Sequence, residues 1–301
     1  MEGGFSLQLG NTAGIGWNLA NGLLQAGWRS AVVELEPETG GFPADLRLHM
    51  TRGTNLPIRL VHVARIARLA RHADIVHFHF GIRPFARYIR WICEAPFVVH
   101  YHGSDLRESI SDGYRDLAAA EFISTPDLRR WAPRATWIPN PIVLPDLSPR
   151  TPSNRVAVGH FPSNPDKKGT RQIVDAIRRL QSRFDFDFHL VSGVSHEKAL
   201  QQMLGCDIII DQISPYGVYG MVSVEAMSLG RVVLSSIDDS YYDRCPIIPV
   251  TERSFEDRLW EILSSPNRRE KLGTEGRSYA ERIHDSRRVA ALVLEQYERI
   301  R

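Results

Sequence analysis

The chain has little cysteine: three residues in 301, and Cys93, Cys206 and Cys245 show neither metal-ligand spacing nor the even count of a disulfide framework. Stability must therefore come from burial, and a reducing cytoplasm is the expected compartment. Long apolar runs are missing too. Even Ile208, Ile209 and Ile210 are bracketed by Asp207 and Asp211, far short of the ~20 residues that a membrane-spanning helix requires. Residues 1–9 lack the basic start and apolar core of a secretory signal, and no tandem repeat or low-complexity tract is visible. Acidic residues nearly vanish between positions 47 and 90, where nine Arg stand against Asp74 alone. Such a block predicts either solvated helix faces or a surface for anionic lipid or a phosphate-bearing acceptor. Arg83, Arg87 and Arg90 share one helical stripe, which would suit peripheral contact with the inner face of a membrane.

What is present suits a folded enzyme-sized protein. Hydrophobic residues make up 43% and charged residues 24%, and the length suggests two domains. In the first half, strands are predicted at Phe5–Leu9, Ser30–Leu35, Ile75–Phe80 and Phe97–His102. Helices are predicted at Trp17–Gln25, Ile58–Arg71 and Arg83–Cys93. Pro139, Pro141, Pro145, Pro149 and Pro152 then crowd a stretch that can hold neither a helix nor a central strand. Beyond it the alternation restarts, with strands at Val156–Phe161, Phe188–Ser192, Asp207–Asp211 and Val232–Ser235. Helices are expected at Gly169–Phe184, Glu197–Leu204 and Val222–Leu229, and three more near the end at Ser254–Leu263, Pro266–Ile283 and Ser286–Arg301. Near-continuous apolar strands between helices imply an α/β protein with two Rossmann-like, doubly wound domains, residues 1–148 and 152–285, facing a cleft. Ligands of such sheets sit in the loops beyond the carboxyl ends of strands.

Four loops carry candidate chemistry. Residues 10–16 join a strand to a helix through Gly10, Gly14 and Gly16, which either permit an anion at the helix N-terminus or simply make a tight turn without a ligand; Leu19 stands where a dinucleotide fingerprint needs a third glycine, so NAD is disfavoured. His77, His79, His100 and His102 lie near the ends of two strands, but no acidic or cysteine ligand of matching spacing accompanies them, and hydrogen-bonded histidines are the simpler reading. His102 differs in preceding the loop-forming Gly103-Ser104-Asp105. In the second half, residues 163–170 make a polar loop opening a helix, with Lys168 suited to a diphosphate, or else a solvated loop with two surface lysines. Residues 211–230 combine a strand end, a glycine loop and a helix. Gly220 would let phosphate approach the amides of Met221 and Val222, and Glu225 can accept hydrogen bonds from vicinal ribose hydroxyls, or simply be a helix-face charge.

The segment Gly217–Gly230, with Lys168-Gly169 and Asn140 in its Pro-flanked turn, resembles the family 4 retaining glycosyltransferases of GT-B fold, and the likeness runs over nearly the whole chain. Asp74–His79 and Val99–Asp105 are similar to further landmarks of that family. The resemblance implies transfer of a sugar from a UDP- or GDP-sugar, with retained configuration and no metal or other cofactor. It assigns Lys168 to the diphosphate, Glu225 to the ribose, the Gly220–Val222 amides to the phosphates, and His102 to the transferring sugar. Ser163 belongs to the same donor loop, while Asn11, Gly14, Ile15 and Asp105 fall on the acceptor side. Residues 286–301 would pack back on the first domain. A glycan, a lipid-linked or a small-molecule acceptor fits, and nucleic acid is not an expected partner. Two positions depart from the family pattern: Gly217 stands where a sugar-binding Glu is usual, and Ser163 where an Arg is usual. Asp211, Gln212 or Tyr219 are the candidates to take over the missing sugar contact. The departures keep open a nucleotide-sugar-binding protein that has lost catalysis; a GT-B-like epimerase would need more carboxylates than these loops carry.

Overall fold

The computed structural model describes residues 3–36, 41–50, 53–80, 85–107, 115–146 and 155–301. Arg52, Arg83, Pro149 and Pro152 lie outside them. The chain forms two compact units, residues 1–143 with 285–301, and residues 144–284.

The first unit is built on seven parallel strands: β1 Phe5–Leu9, β2 Arg29–Glu34, β3 Leu46–Arg47, β4 Ile75–His79, β5 Phe97–Tyr101, β6 Ala118–Ile123 and β7 Thr136–Trp137. Their order is β3-β2-β1-β4-β5-β6-β7. Helices α1 Ile15–Gln25, α2 Leu56–Ala70, α3 Ala86–Arg90 and α4 Ser104–Arg107 connect them. The two-residue period of a strand sends alternate side chains to opposite faces. Val76 and Phe78 of β4 therefore join Ile66, Ala70 and Ile89 from α2 and α3. Ile75, one residue earlier, packs with Leu19 and Leu23 of α1. That second face is closed by the last helix of the chain, α10 Ser286–Ile300, through Val289, Ala290, Val293 and Tyr297. Gly22 makes the α1 to α10 approach feasible, because a Cβ there would collide with the Ser286 carbonyl.

The second unit holds five parallel strands, β8 Ala157–His160, β9 Asp187–Leu190, β10 Ile208–Ile210, β11 Val232–Ser235 and β12 Ile248–Pro249, in the order β12-β11-β10-β8-β9. Its helices are α5 Thr170–Gln181, α6 His196–Leu204, α7 Met221–Ser228, α8 Phe255–Leu263 and α9 Pro266–Tyr279. Helix α5 shows how pattern becomes packing: Ile173, Ala176, Ile177 and Leu180 recur at helical spacing and all enter the core, while its arginines face out.

Each sheet has a point where the direction of strand succession reverses, between β1 and β4 in the first unit and between β8 and β10 in the second. Open parallel sheets bind ligands beyond the carboxyl ends of strands at that point. The loops that leave β1, β8 and β10 are the ones that carry residues 10–14, Lys168 and Gly220.

Candidate functional site

The loop that leaves β8 is stitched to the end of β10 by its backbone. The Lys168 amide donates to the Asn164 carbonyl (3.1 Å), and the Ile213 amide donates to the Lys168 carbonyl (3.1 Å). Gly169 takes φ +68°, a left-handed conformation costly to other residues, and a Cβ there would lie 2.6 Å from the Ile213 oxygen. Behind it, buried His160 donates from Nδ1 to the Ile210 carbonyl (2.9 Å), so its Nε2 accepts from the Thr170 hydroxyl (2.9 Å). Burial holds this imidazole below its ordinary pKa, which suits the neutral tautomer that these two partners require.

One carboxylate organises the rest. Asp211, 1% exposed at the end of β10, accepts from Lys168 Nζ through Oδ1 (2.7 Å), and from the Gly220 amide (2.8 Å) and Ser223 hydroxyl (2.7 Å) through Oδ2. Burial alone would raise its pKa; the ammonium of Lys168 and these hydrogen bonds outweigh burial and hold it below the usual carboxylate range. Lys168 also donates to Gln212 Oε1 (2.7 Å). An ammonium has three N–H donors. Two are occupied, so one remains for a ligand oxygen.

Gly220 is the N-cap of α7, and a Cβ at this position would lie 3.1 Å from Lys168 Nζ. Glycine thus leaves the ammonium room beside the helix start. The Gly220 amide is spent on Asp211, but the Met221 and Val222 amides have no partner among the described residues. These two N–H groups and the positive end of the helix dipole make an anion-binding terminus next to the lysine. One turn further on, Glu225 is buried, with Oε1 accepting from His196 Nε2 at the start of α6 (2.7 Å). Its Oε2 has no partner among the described residues, leaving lone pairs for hydroxyl donors.

Other second-unit positions are placed less favourably. Ser163 is exposed on the loop before Lys168. Gly217 adopts φ +68° and its carbonyl accepts from the Asp238 amide (2.9 Å), so the loop is shaped around a residue without a side chain. The three residues named as substitutes for the missing sugar contact are already engaged. Asp211 holds Lys168, and Gln212 spends Oε1 on Lys168 and Nε2 on the Val218 carbonyl. Tyr219 is buried with its hydroxyl bonded to His284 Nε2 (2.9 Å) and Tyr279 (3.3 Å).

In the first unit, the loop after β1 bends through positive φ at Gly10 (104°), Ala13 (50°) and Gly14 (73°). Asn11 is consumed in holding that bend, its Oδ1 accepting from the Trp17 amide (2.9 Å) and its Nδ2 donating to the Pro43 carbonyl (2.8 Å). Ile15 is buried, and its amide turns back to Thr12 O. Asp105 likewise serves its own loop: its carboxylate accepts from the amides of His102 (2.9 Å), Gly103 (2.7 Å) and Leu106 (3.1 Å). Burial raises its pKa, and the amides offset that only in part. His102 is thereby fixed at the end of β5.

The four histidines form one packed group. His79 donates from Nε2 to Gln8 Oε1 (2.9 Å), so its Nδ1 accepts from His102 Nε2 (3.0 Å), and His102 is left with an unpartnered Nδ1. His77 Nδ1 meets the Tyr297 hydroxyl (2.6 Å). Burial depresses all four, His79 to about 3, so the group is neutral at physiological pH. Nitrogens of His77, His79 and His100 lie within 4.8 Å of one another. The His77 and His79 rings are stacked at 12°, however, and lone pairs in parallel ring planes do not converge on one ion. His196, Asp211 and Gln8 are site residues that the sequence reading did not single out for these roles. Only Asp211 carried a signal, a lone acid closing an apolar strand.

No protein-family model matches the chain, and no curated protein does. Solved structures do. A glycosyltransferase from Rickettsia africae ESF-5 superposes with a TM-score of 0.71 at 14% identity, covering 100% of this chain and 99% of that one. HepE from Anabaena, in complex with UDP-glucose, gives 0.70 at 14% identity over 98% and 99%. An alpha-glucosyltransferase bound to UDP and a 13-mer DNA containing a HMU base gives 0.70 at 10% identity over 99% of each chain. At such identities the likeness is one of fold: α/β with parallel sheets covered by helices, as in GT-B glycosyltransferases.

Proposed function

We propose that the chain is a glycosyltransferase that uses a nucleotide-diphosphate sugar, UDP-sugar before GDP-sugar. One observation carries the proposal: a single buried carboxylate, Asp211, fastens both the Lys168 ammonium and the Gly220 amide that opens α7. Positive charge and two open amides are thus held side by side without needing to reorganise when a pyrophosphate arrives. The fold likeness to proteins solved with UDP and UDP-glucose supports the same reading.

In this reading Lys168 and the Met221 and Val222 amides take the diphosphate and stabilise it as leaving group. Glu225, steadied by His196, takes the ribose hydroxyls. In the same reading, carried over from the family resemblance, His102 takes the transferring sugar and the Gly14 loop the acceptor. Lysine and helix dipole supply the charge, so the reading contains no metal. Nor does it contain a protein nucleophile: the acceptor oxygen bonds to the anomeric carbon on the face from which the diphosphate departs, the bond from that carbon to phosphate breaks, and the acceptor proton passes to the departing phosphate oxygen, so configuration is retained. The acceptor is a glycan, a lipid-linked sugar or a small molecule. Incubation with a panel of nucleotide sugars and candidate acceptors should release nucleoside diphosphate; folded protein that neither binds UDP or GDP nor releases either would refute the assignment.

A second reading is favoured by one feature. Gly217, in a left-handed turn pinned to Asp238, supplies no carboxylate to the sugar. A protein that binds the donor without turning it over would show calorimetric binding of the intact nucleotide sugar and no release.

A further inference from the structure

The exposed apolar side chains of this protein are unevenly distributed. Leu56, Ile58, Leu60 and Val61 of α2, with Tyr88, Trp91 and Ile92 at and after α3, supply 7 of the 15 large hydrophobic residues that are exposed among the described residues. Trp91 is 87% exposed and Tyr88 67%. Between α2 and the α3 region runs an open groove of about 640 Å³, whose walls include Leu60, Ala64, Arg68, Arg71, Tyr88 and Ile92. At 100° per residue, Leu60, Val61, Ala64, Arg65, Arg68 and Arg71 fall on one arc of α2, opposite buried Ile66 and Ala70. Arg65, Arg68 and Arg71 are exposed and make no ion pair among the described residues. Cations and apolar groups are therefore interleaved on one face.

We infer that this face, α2 with the Tyr88–Ile92 turn, docks the protein on the surface of an anionic lipid bilayer. The charge is complementary to acidic headgroups, and the side chains match the depth profile of such an interface. Arginines remain among the headgroups, Trp91 and Tyr88 sit at the boundary, and the aliphatic residues enter the outer acyl region. Two other occupants fit less well. A second copy using the same face would set Arg65, Arg68 and Arg71 against their own equivalents. Nucleic acid would satisfy the arginines and could stack on the rings, but it would leave Leu56, Ile58, Leu60, Val61 and Ile92 without an apolar partner. This inference goes beyond the donor site and does not depend on it.

Vesicle co-sedimentation tests it with the full chain. Vesicles of phosphatidylcholine with roughly one-third phosphatidylglycerol should capture the protein, and phosphatidylcholine alone should not. Each arginine removed should weaken capture roughly fivefold, so R65E/R68E/R71E should lose it, whereas R129E/R134E/R253E, equal in charge change but on other exposed positions, should keep it. Tryptophan emission should shift to the blue on binding, and Trp91→Phe should remove most of that shift while preserving the fold. Equal loss in both triple variants, absence of a Trp91-dependent shift, or no capture by anionic vesicles would overturn the proposal. So would duplex or single-stranded DNA binding that outcompetes vesicles, or a concentration-dependent dimer abolished by R65E/R68E/R71E.

Discussion

At the scale of single residues, Asp211 is the pivot. It is buried and bonded to an ammonium, an amide and a hydroxyl, so removing Lys168 leaves a buried carboxylate without its counter-charge. Breaking such a pair from one side costs about 3–5 kcal/mol. Lys168→Met should therefore lower the urea midpoint markedly, and Lys168→Met with Asp211→Asn should recover much of it. Neither should recover nucleotide binding: loss of a charge-assisted phosphate contact of about 1.5–3 kcal/mol predicts at least ~10-fold weaker UDP binding by calorimetry in both. Glu225→Gln should weaken UDP binding without unfolding the protein. His196→Ala should do so by a smaller factor, because it removes only the group that orients the carboxylate. Unchanged UDP affinity in Glu225→Gln would take that residue out of the site.

At the scale of elements, the close approach of α1 and α10 hangs on Gly22. Adding one methyl there forces the helices apart against the Ser286 backbone, so Gly22→Ala should cost several times the ~1 kcal/mol that separates glycine from alanine in an ordinary helix, in the opposite direction. Thermal unfolding would show the loss. Most elements were legible in the sequence because their patterns are clean: α5 repeats its apolar residues at helical spacing, and β4 and β5 are short, largely apolar runs broken only by histidines. The strand β6 escaped because Ala118, Ala119 and Ala120 have little preference for a pleated strand, and only its place between β5 and β7 makes it one. The loops with Lys168 and Gly220 were legible as glycine-marked strand-to-helix turns. Their clamp was not, since Asp211 lies 43 residues from Lys168, and a lone acid closing a strand looks the same whether it grips a lysine or a ligand. His196 carried no signal at all; its meaning comes from α6 ending up beside α7.

At the scale of the whole molecule, the histidine group sets a pH limit. His77, His79 and His100 are buried neutral, with pKa values depressed by burial below the 6.5 of a free imidazole. Below pH 6.5 the unfolded chain takes up protons that the folded chain refuses, so stability falls as pH falls from 6.5 toward the depressed values. Each such group contributes at most about 1.4 kcal/mol per pH unit, up to about 4 for the three together. Urea unfolding at pH 7.5 and 5.5 should reveal this, and His100→Phe should flatten the slope. The placement of the last helix has a consequence of another kind. Leu19, Leu23 and Trp28 are covered by Val289, Val293 and Tyr297. On the ribosome, Leu19, Leu23 and Trp28 must therefore wait, greasy and uncovered, until residues 286–300 have emerged, and a nascent chain stalled between the two segments would be a natural client for chaperones.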